Sequence, residues 1–154
     1  MKRLLGSIAA LWVLAASGAG WAMGEGVMVH DPWIREAPPT ASALAGYMEI
    51  NNHSKMRQTL VGATSDDFAK VMLHQTVMQG GTAKMVHRHK IEIPKGMKLA
   101  FKPGGYHLMM MKPKRKLKVG DQVTVALEFS EGSKREVVFT VRKAMGMAGG
   151  HHKH

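Results

Sequence analysis

Gln122-Val-Thr-Val-Ala-Leu-Glu-Phe129 and Lys134-Arg-Glu-Val-Val-Phe-Thr-Val141 are two short runs in which apolar side chains alternate, in the second run only in part, with polar or small ones. Side chains of a β-strand point alternately to opposite faces, so the pattern indicates two strands that each bury one face. Between them, Glu131-Gly132-Ser133 is typical of a turn. This stretch therefore predicts a β-hairpin at the end of the domain.

Further short strands are predicted upstream of this hairpin. Their predicted bounds are 27–29, 43–50, 59–63, 71–78, 83–87, 91–93, 98–101 and 106–111. Turn sequences such as Gly80-Gly81 separate them, and Ala37-Pro38-Pro39-Thr40 is expected to be a loop because proline lacks the N–H that a sheet ladder needs. Ser65-Asp66-Asp67 has the chemistry to cap at most one helical turn. The spacing predicts an all-β domain, a sandwich or barrel of short antiparallel strands.

The first two dozen residues have the composition of an export signal. Lys2 and Arg3 precede an apolar run from Leu4 to Ala16, and small residues follow. We predict a signal peptide over residues 1–22, cleaved between Ala19 and Met23, and a periplasmic protein that is not inserted in the membrane after cleavage. An uncleaved membrane anchor is the alternative, although the apolar run is short for a bilayer-spanning helix of roughly 20 residues.

The chain has 154 residues, a formal charge of +11 and no cysteine. The length that remains after the leader suits one domain, predicted over residues 27–143. Zinc ribbons, thioredoxin-type chemistry and blue-copper sites are excluded because each needs a thiolate.

Export makes nucleic acid an unsuitable partner for the positive charge. The basic run Lys112–Lys118 is interpreted either as a solvated loop or as a docking surface for an acidic protein.

Methionine is the compositional anomaly, with 14 residues. Methionine fills irregular cores, so its frequency alone does not indicate a metal site. Its placement beside histidine is more informative, because thioether and imidazole together favour the soft ion Cu(I). On a strand, His107 and Met109 project to one face and Leu108 to the other. On its own, this His-x-Met pattern is explained more simply by packing.

A hairpin over residues 71–87 would bring a second such pair together. With Gly80-Gly81 as its loop, Met85 faces Thr76, and with a loop at Gln79-Gly80 it faces His74. Both registers place His74 and Met85 on one face of the hairpin. Two strand pairs that each provide one imidazole and one thioether supply four neutral donors, which suits Cu(I) because this ion needs no anionic ligand.

The spacing His74-x10-Met85-x21-His107-x-Met109 resembles the motif H-x10-M-x21-H-x-M of the periplasmic copper chaperone family called PCu(A)C. The segments 102–109 and 45–52 are also similar to segments of that family, and the resemblance covers roughly residues 29–141. It implies a cupredoxin-like Greek-key β-sandwich or barrel that binds Cu(I) through these four residues. It also implies delivery of copper to the CuA centre of cytochrome c oxidase, directly or with a Sco-type protein.

This chain departs from the family beside the first histidine. Many members carry a methionine one or two residues after it, where this chain has Gln75 and Thr76, so the resemblance implies no fifth sulfur ligand at these positions. Met78 could lie on the same face. The other histidines, His30, His53, His87 and His89, are interpreted as ordinary surface or strand-end residues. Arg88 and Lys90 would repel a cation from the last two.

Residues 144–154 are predicted to form a flexible tail with the composition of a metal-binding tract. Its candidate ligands are Met145, Met147, His151, His152 and His154. Imidazoles suit Cu(II), so the tail is a candidate site for the oxidised ion. A cloning tag is the alternative, although Lys153 interrupts the histidines.

No hydrolase elbow of the type Gly-x-Ser-x-Gly is found in the sequence, and we predict a monomeric protein that is not an enzyme. A copper chaperone is the favoured function. Copper sequestration without a dedicated client and a purely structural exported β-domain are the alternatives.

Overall fold

The computed structural model describes residues 26–144, which form ten β-strands and no helix. No helix able to span a membrane is therefore found among these residues. The strands are β1 (Val27–Arg35), β2 (Ala43–Asn52), β3 (Gln58–Thr64), β4 (Phe68–Gln79), β5 (Thr82–His87), β6 (Ile91–Ile93), β7 (Lys98–Phe101), β8 (Tyr106–Pro113), β9 (Gln122–Phe129) and β10 (Lys134–Arg142).

The ten strands belong to one sheet that closes on itself. Their order is β5-β4-β8-β7-β2-β1-β10-β9-β3-β6, and additional pairings join β3 to β4 and β2 to β8. The predicted all-β sandwich or barrel is confirmed. The strands were expected to be antiparallel, but β1 pairs with β10 and β7 pairs with β8 in parallel. The first and last described strands are thus neighbours, a pairing that local sequence patterns do not predict.

The predicted terminal hairpin is confirmed as β9 and β10. Val125 lies opposite Val137 and Val123 lies opposite Phe139, and all four side chains are buried. Their alternation with exposed neighbours such as Thr124 and Val138 gives the hairpin one core face.

The core fills the inside of the closed sheet. Its fully buried side chains include Ile34, Ile50, Leu60, Leu73, Leu108, Met110, Leu127 and Phe139. Gly46 on β2 lies opposite Leu108, and a Cβ atom at this position would meet Met110 Sδ at 3.2 Å and Leu108 Cβ at 3.4 Å. Glycine therefore lets β2 approach β8 closely. Because Leu73 and Leu108 point inward, His74 on β4 and His107 on β8 point to the outer face.

Some elements differ from the predicted ones. Ser65–Asp67 forms a turn and not a helical turn: Phe68 N donates to Ser65 O (3.3 Å), and Ser65 Oγ donates to Thr124 O (2.7 Å). Strand β1 continues to Arg35 through an irregularity between His30 and Trp33, where Asp31 has a φ of 46°. The predicted signal peptide and tail residues 145–154 lie outside the described residues.

Candidate metal centre

The four predicted copper ligands lie on one patch of the outer face, where β8, β4 and β5 are neighbours. Three cross-strand rows make up this patch. In the central row, His107 lies opposite His74, and His74 lies opposite His87. Met109 lies opposite Met72 in the row on one side, and Thr76 lies opposite Met85 in the row on the other side. Strand register therefore places two imidazoles and two thioethers around His74.

His107 is the most deeply buried of these side chains, with 4% of its surface exposed. Its Nδ1 atom lies 3.2 Å from Gly105 O. A carbonyl oxygen only accepts hydrogen bonds, so Nδ1 carries the proton of the neutral ring and Nε2 keeps a lone pair. Nε2 is buried and has no hydrogen-bond partner. The contact with Gly105 O thus orients the ring of His107 and leaves its Nε2 atom available to bind a metal ion.

His74 is half-buried beside His107, with ring centroids 5.8 Å apart. Its Nδ1 atom is also buried and without a hydrogen-bond partner. Burial lowers the pKa of His74 below its ordinary value of 6.5, and the neighbouring His107 and His87 lower it further. The ring is therefore kept neutral, the form that binds metals. Two unpartnered imidazole nitrogens on adjacent strands are the main chemical feature of this surface.

Met109 lies two residues after His107 on β8 and is partly buried. It pairs with Ala45 of β2 on one side and with Met72 of β4 on the other. Met72 is also partly buried and shares the face of His74, two residues before it. Met72 was not among the predicted ligands, although it lies two residues before His74 in the sequence. Met72 therefore adds a further thioether to this patch.

Met85 approaches from the exposed hairpin β4–β5. Gln79 lies opposite Thr82, which leaves Gly80-Gly81 as the loop, so the first of the two predicted registers is confirmed. Both glycines have positive φ values, 58° and 75°, as a two-residue type I′ turn requires. Met85 is diagonal to His74, and such neighbours are within reach of a long side chain. Its side chain is 62% exposed, so packing does not explain it.

The other methionines separate into core and surface residues. Met48 and Met110 are buried, and the packing explanation holds for them. Met56, Met78 and Met97 are more than half exposed. Met78 shares the face of His74 by alternation on β4, but it lies opposite Ala83 near the hairpin tip, farther from His107 than Met85 is.

His87 occupies a more central position than the sequence analysis assigned to it. Its ring centroid is 5.6 Å from that of His74 and 4.4 Å from that of His89. Arg88, which was expected to repel a cation here, donates to Gln75 Oε1 from Nε (3.0 Å) and Nη2 (2.7 Å). Gln75 lies on the opposite face of β4 from His74 by alternation. The guanidinium is thus held away from the imidazoles.

Within residues 26–144, no three side chains among histidine, cysteine, aspartate and glutamate form a group that could hold a metal ion. A site on this patch with more than two protein ligands therefore needs sulfur from methionine. Imidazole combined with thioether is a soft, neutral donor set, and Cu(I) is the biological ion that fits it. Zn(II) would favour thiolate, carboxylate or additional imidazole.

The family model described as "Putative lipoprotein LpqE-like" matches residues 27–141. The chain belongs to the LpqE-like family. This LpqE-like protein is 33% identical over 123 residues to "Putative lipoprotein Lxx21020" of Leifsonia xyli subsp. xyli (strain CTCB07), a match that covers 79% of this chain and 73% of the relative.

Solved structures with the same fold include copper-bound proteins. The solution structure of apo-DR1885 from Deinococcus radiodurans matches with a TM-score of 0.62 and 32% identity, over 94% of this chain and 97% of that one. Its Cu(I) form, CuI-DR1885, matches with a TM-score of 0.57 and 30% identity, over 84% and 85%. The copper-bound PCuAC domain from PmoF2 has a TM-score of 0.66 at 20% identity, over 79% and 96%. The LpqE-like chain thus has the fold of PCuAC domains, as the resemblance in its sequence implied.

Proposed function

We propose that this protein is an exported copper carrier that binds one Cu(I) ion and passes it to another protein. His74, Met85, His107 and Met109, together called the His/Met site below, are its proposed ligands. The role is binding and transfer, without catalysis. Periplasmic location, the predicted signal peptide over residues 1–22 and a monomeric state are parts of the same proposal.

The observation that carries this proposal is the pair of buried, unpartnered nitrogens, His107 Nε2 and His74 Nδ1. An unpaired polar atom in a protein interior is unfavourable, and such atoms are uncommon unless a ligand or water satisfies them. Gly105 O orients the ring of His107 without using Nε2. The thioethers of Met109 and Met85 lie on the same face, so the same patch can supply four donors.

Names of similar proteins support the same conclusion. CuI-DR1885 and the PmoF2 domain are copper-bound structures. The family model and the Leifsonia relative carry the word lipoprotein, which is consistent with export of this chain. The resemblance of its motif to PCu(A)C proteins favours the CuA subunit of cytochrome c oxidase, or a Sco-type protein, as the acceptor.

Exposure of Met85 supports transfer rather than permanent storage. A ligand that is 62% exposed can leave the ion while the buried imidazoles still hold it. The thiolates of an acceptor protein can then replace the ligands of this protein one at a time. Sequestration would be served better by ligands that are all enclosed.

The proposal is tested by anaerobic Cu(I) titration against a competing chelator. To remove binding by the tail, the experiment uses a protein in which Met145, Met147, His151, His152 and His154 are all alanine, called the tail-alanine protein below. We expect one tight equivalent. His107→Ala and Met109→Ala should each weaken it by at least about 100-fold, since changes in residues that only support a ligand already cost 10–100-fold.

His30→Ala and Met97→Ala are the matched controls, because both residues are exposed and lie outside the three rows. Neither should change Cu(I) affinity. Copper-loaded protein is then mixed with a CuA-domain or Sco-type acceptor. Transfer supports the carrier function, and retention of all copper would favour sequestration. Absence of a tight equivalent, or indifference to both ligand changes, would refute the proposal.

A further inference from the structure

His87 and His89, called the outer histidine pair below, lie next to the His/Met site and have no role in it. Their ring centroids are 4.4 Å apart, and both side chains are exposed. Metal–imidazole bonds are about 2 Å long, so two rings at this separation can share one ion after small rotations. Imidazole is a common ligand for copper. The pair therefore has the composition and spacing of a two-coordinate metal site.

The outer histidine pair is connected to the interior through adjacent rings. The centroid separations are 4.4 Å from His89 to His87, 5.6 Å from His87 to His74 and 5.8 Å from His74 to His107. Exposure falls along the same series, from two exposed rings through half-buried His74 to His107 at 4%. The four imidazoles thus form a continuous series of donors from solvent to the buried nitrogen of His107.

The backbone beside the pair keeps this series in place. Arg88 N donates to Leu73 O at 2.8 Å, which extends the contact between the two strands beyond the last residue of β5. The side chain of Arg88 is held by Gln75 on the opposite face, so the cation between the two histidines in sequence does not lie between them in space. The guanidinium of Arg88 therefore does not separate the rings of His87 and His89, whose centroids are 4.4 Å apart.

We propose that the outer histidine pair is a second, weaker copper site through which Cu(I) enters and leaves the His/Met site. This inference rests on the proposed function for the role of the inner ligands. In each step, one copper–ligand bond, Cu–N or Cu–S, forms as another breaks, and copper stays Cu(I) throughout, so no electron donor or acceptor is needed. Because uptake and release use the same path, loss of the pair slows both and leaves the equilibrium affinity of the His/Met site unchanged.

The kinetic test uses the tail-alanine protein under anaerobic conditions. Stopped-flow absorbance follows Cu(I) uptake from, and release to, bathocuproine disulfonate. We expect the double variant His87→Ala/His89→Ala to slow both rates roughly tenfold, equivalent to about 1.4 kcal/mol on the barrier. The Cu(I) affinity of this variant should stay within about twofold of that of the parent protein. A tenfold change in affinity would correspond to about 1.4 kcal/mol of binding free energy. The control is His30→Ala/His53→Ala, which removes two exposed histidines elsewhere.

Two results of the kinetic test would overturn the proposal. Unchanged rates would show that copper reaches the inner ligands by another route. A loss of affinity in His87→Ala as large as that in His107→Ala would make His87 a ligand of the inner site, and no separate outer site would exist.

A second measurement separates this proposal from the proposed function. In the His107→Ala protein, where the inner site is disabled, Cu(I) is added while the imidazole C–H signals are followed by NMR. Signals of His87 and His89 should shift before those of His30 and His53. An equal response of all four would refute the outer site. If the parent protein failed to bind copper tightly but His87 and His89 still responded first, only the proposed function would fail.

Discussion

His74 and His107 lie directly opposite each other on β4 and β8, with ring centroids 5.8 Å apart. The two rings share one partly desolvated patch of the outer face. Burial of His74 lowers its pKa, and the neighbouring His107 lowers it further, so the ring of His74 stays neutral at a lower pH than an isolated histidine. Burial, aided by the opposed imidazole, thus keeps His74 available as a neutral donor.

We expect the pKa of His74 in the metal-free protein to lie below 6.5, chiefly because of burial and further because of His107 and His87. The unfolded chain then binds a proton at His74 more readily than the folded chain. The free energy of unfolding is therefore unaffected by protonation of His74 above about pH 6.5. It falls as the pH decreases from there toward the folded-state pKa. NMR titration of the imidazole C–H signal measures this pKa. A value at or above 6.5 would contradict the prediction, and His74→Asn should remove this part of the pH dependence.

Met85 should be oxidised to the sulfoxide early in peroxide treatment, because its side chain is 62% exposed. Met97, at 55%, is a matched control away from the site, and Met110 at 0% should react last. Peptide mass spectrometry follows all three. Ag(I), a soft substitute for Cu(I) that is not itself oxidised by the reagent, should protect Met85 and leave Met97 unprotected. Equal protection of both would exclude Met85 as a ligand.

Leu108→Ala should destabilise the fold by about 2–5 kcal/mol, because a fully buried leucine leaves a cavity when truncated. Val138→Ala is the control, since Val138 is 49% exposed and such changes stay within about 0.5 kcal/mol. Denaturant unfolding measures both. A loss for Leu108→Ala no larger than for Val138→Ala would mean that β8 does not anchor the core.

Neutralising Lys114, Lys116 and Lys118 to glutamine should slow copper transfer to an acidic acceptor, more at low than at high salt, and leave Cu(I) affinity unchanged. These lysines are exposed, whereas Arg115 between them is bound by Asp67 at 2.6 Å. The basic run begins at Lys112, three residues beyond Met109, or roughly 10 Å along the strand. It can therefore orient a partner without contacting the metal ligands.

Lys95→Gln/Lys143→Gln is the control for this charge effect, because both residues are exposed and lie outside the basic run. Transfer rates measured at several salt concentrations decide the matter. Equal copper-transfer rates at low salt for the parent protein and the variant with Lys114, Lys116 and Lys118 changed to glutamine would exclude a docking role for the basic run.

Replacing the five candidate ligands of the tail should lower the number of Cu(II) ions bound while the one tight Cu(I) equivalent stays. Imidazoles such as His151 and His152 suit Cu(II), whereas the His/Met site favours Cu(I). Electron paramagnetic resonance of the natural and tail-alanine proteins counts the bound Cu(II). An undiminished Cu(II) capacity would exclude the tail as a copper site.

Much of the fold could be predicted from local patterns. Alternation located β9 and β10, and turn residues such as Gly80-Gly81 located the hairpin of β4 and β5. Strand ends were less predictable: β1 continues past Asp31 through an irregular stretch, and β8 continues to Pro113. These extensions depend on pairing with neighbours that lie far away in the chain.

The predicted ligands were found on one face, but the identity of their neighbours could not be predicted. Whether β4 lies next to β8 is a property of the closed sheet, and it alone places Met72 opposite Met109. His87 was given a surface role because Arg88 follows it in sequence. The contact of Arg88 with Gln75, which removes that objection, depends on the register of the hairpin. Residue types and spacing therefore predicted the candidate donors, and the topology of the sheet determined their surroundings.

Strand β8 carries core and candidate ligand residues in strict alternation, and this restricts how the gene can change in length. Deleting or inserting one codon between Gly105 and Met109 would turn His107 toward the interior and Leu108 toward solvent, because side chains alternate with a period of two. A change of two codons would restore the faces but slide His107 past His74. Diversification of this strand should thus proceed by substitution, and length variants should be recovered only outside it.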